Sequence, residues 1–486
     1  MFILNLNEFN IYLSSFYIGL ILLLLIIFGS FNQPFLNNNK LVSYNILNTI
    51  GYLFILSLLY SIYYEYFNNI DLITYLFILD SITYYSTLII LIISIIIVKL
   101  SINFFYKSTI KSYEYILLFM ISIIGLILVI RSNNLLSIYI NIELLSLSFY
   151  VLSSYKKNSA YSIEAGFKYF ILGAFSSGIL LLGINYIYLA TNNINFIDLS
   201  YIYNHYFFLI GMILFISGLL FKLGVIPFHT WLPDVYEGSL LPITTYYSLL
   251  PKFIILLLLV RILFNYWSFL SLEWQILILI SSLLSITIAS IIAINQKKII
   301  RLLAYSSISH YGYLLLGLIS YNITSIQSIV IYGIIYIITT LNIFTILLSL
   351  KTQQSNIEIK YVFELKGLHL LNPFLGFTMM ISLFSLMGIP PLAGFFAKYF
   401  IFVALINSNL FYISLITIIL SVISAFYYLY LIKIMYFDKI LLNHEPLIKI
   451  TLFNKYIIYL CTLFIICFIY FSDYIYNLSI MFLNSF

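Results

Sequence analysis

The stretch ISGLLFKLGVIPFHTWLPDVYEG, residues 216–238, starts as nearly pure hydrocarbon and carries Lys222 inside it. Gly224, Pro227 and Pro233 then interrupt it. Proline removes a backbone donor and its ring clashes with the preceding turn. At membrane depth such irregular backbone is tolerated only where protein or a watery cavity satisfies it. FSLMGIPPLAGFFAKYF, residues 384–400, repeats the pattern, with Gly388, Pro390, Pro391 and Gly394 beside Lys398. Two broken helices, each next to a lysine, are the arrangement expected of an ion-conducting membrane protein.

Composition agrees. The chain of 486 residues is 63% hydrophobic and only 8% charged, against about 25% charged in a soluble domain. Apolar runs recur from end to end, each near the ~20 residues that span a bilayer as a helix. Blocks such as IGLILLLLIIFG and LIILIISIIIV do not alternate as barrel strands do. The expected fold is an all-α polytopic membrane protein of about fourteen transmembrane helices. They are predicted near 9–28, 44–64, 76–98, 113–130, 134–152, 163–190, 206–234, 240–260, 274–294, 302–319, 325–349, 373–406, 409–432 and 456–472.

Charge sorts the loops. Sixteen of the 22 Lys and Arg residues fall in loops after odd-numbered spans, only Arg131 and Arg261 after even-numbered ones, and four inside spans. By the positive-inside rule both termini lie on the outer side. The breaks in spans 7 and 12 are five spans apart, so these segments run in opposite directions. This predicts two inverted five-helix repeats, 113–262 and 263–434. A three-helix segment, 1–112, precedes them; an inner loop with the last helix, 435–486, follows. The longest inner loop, 350–372, is expected to hold a short surface helix.

A charge at the bilayer centre costs roughly 3 kcal/mol on the insertion scale, so intramembrane ionisable groups are candidates for an ion or proton path. Glu143 is set in LLSIYINIELLSLSFYVLSS and is expected to pair with a lysine; the plainer reading is a protonated carboxyl bonded to a neighbouring helix. Lys222 ranks first as a proton carrier, since a buried lysine readily changes its protonation state; the structural reading, that it caps carbonyls freed by Gly224 and Pro227, is compatible with that role. Lys168 follows Glu164 by four residues, the favoured order for an intrahelical pair, so a structural role competes closely with a functional one. Lys252 sits mid-span after Pro251, where snorkelling is difficult, and Lys398 suits an exit step. His229 and His310 are secondary relay candidates, since a lone membrane histidine is more often a satisfied hydrogen-bonder. Asp80, near a helix start, and Asp234 and Glu237, near the inner end of span 7, read as structural.

Other functions find no support. No Walker A motif, no GxGxxG after a strand and no cysteine cluster occurs; the two cysteines, Cys461 and Cys467, share one apolar helix. The five histidines are scattered, and the net charge of +6 forms no long basic run, so neither haem nor nucleic acid is expected. No cleavable signal peptide is expected. The bias toward Ile, Leu, Phe, Tyr, Asn, Ser and Lys points to an AT-rich, organelle-like genome.

EAGFKYFILGAFSSGILLLG, GLLFKLGVIPFHTWLPDVYEG, TTYYSLLPK, LLAYSSISHYGY and GIPPLAGFFAKYF resemble the antiporter-like subunits of respiratory complex I. DVYEG and the joined EAGFKYF block are most similar to the subunit 2 branch. The resemblance runs from about span 4 to span 13 and thins at 1–75 and 350–372. It implies the paired inverted repeats and a proton path through Glu143, Lys168, Lys222, Lys252 and Lys398. It also implies no redox cofactor in this chain, with NADH, FMN, iron–sulfur clusters and ubiquinone on other subunits. The implied partners are neighbouring membrane-arm subunits, including other antiporter-like ones, and lipids. The implied location is the mitochondrial inner membrane, with the termini facing the intermembrane space. Two other readings stay open: a subunit of a multisubunit cation/proton antiporter, and a scaffold within complex I that does not pump.

Overall fold

The computed structural model describes residues 19–24, 26–27, 53, 57, 72–73, 76–106, 113–196, 205–352, 358–438, 446–448 and 450–483. The first two expected spans lie almost wholly outside these residues. Among the described residues, eleven helices are long and apolar enough to cross a membrane. They coincide with spans 3–11, 13 and 14. Span 12 is a pair of shorter apolar helices, Pro373–Met387 and Ala393–Asn407.

The helices are α1 Ser81–Tyr106, α2 Tyr113–Arg131, α3 Leu135–Ser153, α4 Ala160–Thr191, α5 His205–Leu223, α6 Trp231–Gly238 and α7 Leu241–Arg261, then α8 Ser271–Ile294, α9 Ile299–Ile319 and α10 Ile323–Ser349. After two single turns of helix in the inner loop, at Val362–Leu365 and Leu368–Leu371, come α11 Pro373–Met387, α12 Ala393–Asn407, α13 Phe411–Tyr436 and α14 Leu452–Leu483. Two short antiparallel strand pairs were not foreseen: β1 Leu72–Ile73 with β2 Ile78–Leu79, and β3 Leu350–Thr352 with β4 Pro446–Ile448. Such pairing satisfies loop backbone that no helix serves.

The chain divides into two compact units. The first holds residues 1–223, 238–269 and 484–486; the second holds 224–237 and 270–483. In the first, α4 and α5 make the closest helix pair. A Cβ on Gly183 would lie 2.6 Å from the Phe215 nitrogen, so only glycine allows that approach. Without a hydrophobic drive between helices in lipid, such close van der Waals packing is what holds them together. Asp80 caps α1, accepting from the Thr83 N–H at 3.0 Å, and also pairs with the buried Arg261 at the end of α7. Arg261 further donates to the Ile130 carbonyl at 2.5 Å, and Arg131 is fully buried at the end of α2. The two arginines assigned to outer loops thus sit at helix C-termini, where the dipole favours a cation.

In the second unit, α8 pairs closely with α9, and α10 with α14. Asp234 and Glu237 of α6 hold the start of α9. Arg301 meets Asp234 at 2.6 Å and Glu237 at 3.2 Å, and Lys298 also pairs with Glu237. Their structural role is as expected.

Candidate functional site: two broken helices and their lysines

Each break begins with a helix that cannot continue. Gly224 follows α5 with φ +72°, and Gly388 follows α11 with φ +90°; this left-handed backbone suits glycine because it lacks a Cβ. After α11, the Gly388 and Ile389 N–H groups bond back to the Phe384 carbonyl at 3.1 and 3.2 Å, a Schellman-type stop. The residue after each stop lies in a proline-containing segment, Val225–Ile226–Pro227 and Ile389–Pro390–Pro391, so the helix does not resume at once.

In the first unit, Lys222 is the penultimate residue of α5 and is buried at 7% exposure. Its ammonium lies 5.9 Å from the centre of the Tyr150 ring and makes no hydrogen bond. It therefore caps no freed carbonyl. The expected direct pair with Glu143 is also not formed. Glu143 Oε2 accepts from Ser146 at 3.3 Å, while Oε1 is buried without a hydrogen-bond partner. Glu143 and Lys222 thus each keep a buried polar atom without a hydrogen bond in the same unit, which marks the place as a functional candidate.

Tyr150 was not singled out from the sequence. Its hydroxyl is seated on Gly173 of α4, where a Cβ would come within 2.2 Å. Its ring stands edge-on to Tyr169 at 5.0 Å. The ring faces Lys222 at cation–π distance.

Lys252 is buried at 2% exposure on α7, one residue after Pro251, so it does not snorkel. Lys168 is different: it is half-exposed on α4 and pairs with Glu164 at 2.7 Å.

In the second unit, Lys398 is buried on the second turn of α12. It donates to the Met387 carbonyl at 2.7 Å, the last residue of α11, and stands 5.3 Å from the centre of the Tyr313 ring. Carbonyl capping, considered for Lys222, is thus performed by Lys398. His310 is also buried, and both ring nitrogens are engaged: Nδ1 with the Tyr332 hydroxyl at 2.8 Å and Nε2 with the Tyr428 hydroxyl at 2.9 Å. A cavity of about 10 Å³, lined among others by His310, Tyr332, Ser385 and Lys398, lies between these groups. His229 is half-buried in the segment that follows Gly224, its ring centre 6.5 Å from that of Tyr305. The site residues thus gather as two clusters, Glu143–Tyr150–Lys222 and Lys398–His310 with its tyrosines.

Residues 132–424 match the family described as NADH:quinone oxidoreductase/Mrp antiporter, TM. The chain is 41% identical over 371 residues to "NADH-ubiquinone oxidoreductase chain 2" of Marchantia polymorpha, covering 74% of this chain and 75% of that one. It is 35% identical to "NADH-quinone oxidoreductase subunit N" of Pelagibacter ubique, covering 89% and 90% respectively. A chain in "Respiratory complex I from Thermus thermophilus with bound Aureothin" shares the fold, with a TM-score of 0.79, 23% identity, and coverage of 96% of this chain and 98% of that one. The matched segment contains both breaks and all the candidate lysines and histidines. The chain therefore belongs to the NADH:quinone oxidoreductase/Mrp antiporter transmembrane family.

Proposed function

We propose that this chain is a proton-translocating, antiporter-like membrane-arm subunit of a NADH:quinone oxidoreductase. The observation that carries the reading is the buried lysine beside each helix break, Lys222 and Lys398, within a chain of that family. NADH oxidation and quinone reduction, with FMN, iron–sulfur clusters and ubiquinone, belong to other subunits; this chain contributes no redox site. Its partners are neighbouring membrane-arm subunits, other antiporter-like ones among them, and lipids. Its location is the mitochondrial inner membrane, with both termini on the outer side; the organelle-like composition and the relative from Marchantia polymorpha support this.

The mechanism is electrostatic gating. Glu143 and Lys222 act as a charge pair that closes and opens. A charge or conformational change arriving from the neighbouring subunit weakens that pair, and Lys222 passes its proton toward Lys398 and the outer side. Lys252 and Lys168 serve reloading from the inner side, with His229 and His310 as secondary relays. Moving one charge against the membrane potential takes about 2.3 kcal/mol per 100 mV.

The family description also covers Mrp antiporters, which keeps the second reading concrete. Affinity purification of the tagged chain from solubilised membranes separates the two. Co-purification of NADH dehydrogenase activity is the expected result. Recovery with cation/proton antiporter subunits and without that activity overturns the reading.

A further inference from the structure

His310 lies in the middle of α9 with a tyrosine hydroxyl on each ring nitrogen, at 2.8 and 2.9 Å. Neutral imidazole has one N–H and one bare nitrogen, so it accepts from one tyrosine and donates to the other. The three residues come from three different helices, α9, α10 and α13, and they are stepped along the helix axes. At a rise of 1.5 Å per residue, Tyr428 is roughly 12 Å from the Tyr436 end of α13. His310 is roughly 16 Å from the Ile299 start of α9, and Tyr332 roughly 26 Å from the Ser349 end of α10. Successive spans alternate in direction, so these three ends share one side of the membrane. Counted along their own helices, the three residues lie at increasing distance from those ends.

At its Tyr332 end the triad meets the cavity of about 10 Å³ that Lys398, Ser385 and Thr339 also line. That is room for one water with several polar partners. The bond to Met387 uses one of the three Lys398 donors. At the other end the Tyr427 ring centre packs 4.3 Å from that of Tyr428, and the Tyr427 hydroxyl lies 3.5 Å from Ser309 Oγ.

We propose that Tyr428, His310 and Tyr332 form a proton relay that leads from Lys398, through one water in this cavity, toward the side of the membrane where α9 begins. The inference rests on the proton-translocating reading above and adds two catalytic tyrosines to it. One proton reaches the bare ring nitrogen from the hydroxyl on that side, giving imidazolium. The proton on the opposite nitrogen then passes to the other tyrosine, whose own hydroxyl proton moves on. One proton enters and one leaves, and imidazole returns as the other tautomer. A flip of the imidazole ring, together with rotation of the hydroxyls, resets the chain.

A structural brace would look the same at rest, so the test separates bonding from transfer. The intact complex is assembled with His310→Gln, Tyr428→Phe or Lys222→Met, and assembly is checked on a native gel. NADH:quinone turnover and protons per electron are then measured. Glutamine both donates and accepts a hydrogen bond but cannot shuttle a proton by changing tautomer. The relay predicts that His310→Gln assembles and loses coupled turnover on the order of 10²-fold, the scale of a positioned acid–base group. Tyr428→Phe is expected to do the same; if that variant fails to assemble, His310→Gln alone carries the test. Wild-type turnover and stoichiometry in His310→Gln, with Lys222→Met inactive, overturns the relay and leaves the broader reading intact. Wild-type behaviour in Lys222→Met overturns the broader reading itself.

Discussion

Replacing Gly394 with alanine strikes the second break where it is tightest. A Cβ there would stand 1.7 Å from the Ser385 carbonyl oxygen of α11. Carbon–oxygen contacts sit near about 3.3 Å, so α11 and α12 must part by roughly 1.6 Å. Overpacking of this kind costs about 1–3 kcal/mol. The Gly394 N–H also donates to Ser385 Oγ at 3.0 Å, and losing that bond adds about 1 kcal/mol. The expected total is about 2–4 kcal/mol, a large share of an ordinary folding stability. The displacement falls one turn before Lys398 and stretches its 2.7 Å bond to Met387. A misplacement of about 1 Å at a reacting group can cost about 10²-fold in rate. In membranes carrying Gly394→Ala, native gels are expected to show reduced assembly, and the complex that does assemble is expected to turn over far more slowly per molecule. Normal assembly together with normal turnover would refute the reasoning, because it would mean the two half-helices separate without consequence for Lys398.

Gly183→Ala drives a Cβ to 2.6 Å from the Phe215 nitrogen and 2.8 Å from the Gly211 carbonyl, so it should loosen the α4–α5 pair by about 1–3 kcal/mol, read as a lower thermal midpoint of the complex. Arg261→Ala leaves the Asp80 carboxylate without its buried partner and is expected to cost about 3 kcal/mol, measured by the yield of assembled complex. Lys168→Ala removes an ion pair whose members are 42% and 58% exposed, so stability should change by less than about 1 kcal/mol. If Lys168 helps reload Lys222, turnover falls in that variant while assembly is unchanged; unaltered turnover removes it from the path.

The breaks were legible in the sequence because they are backbone events: Gly224, Pro227, Gly388, Pro390 and Pro391 act through φ and a missing N–H, whatever surrounds them. The capping role of Asp80 was legible for the same local reason. Its ion pair with Arg261, 181 residues away, was not, because nothing local announces it. Charge content identified Glu143 and Lys222 but not the gap between them, since pairing depends on how α3 and α5 approach. The tyrosines were the largest omission. Tyr150, Tyr313, Tyr332 and Tyr428 each touch a candidate charged or titratable group, yet the chain holds 46 tyrosines and their placement shows only once helices are packed. Lys222 and Lys398 each stood beside a break in the sequence, the first before it and the second after it. The structure separates them, because only Lys398 reaches a terminal carbonyl across its break.

The central claim is that protons pass through the buried lysine of the first break, and the number of protons moved per electron in membranes carrying Lys222→Met tests it most directly. Methionine keeps the length and apolar stem of the side chain and removes only the titratable group, so the packing around Tyr150 should persist and the complex should assemble. The account predicts that turnover and proton pumping fall together in that assembled complex. Full turnover with an unchanged proton-to-electron ratio would contradict it and leave this chain a scaffold.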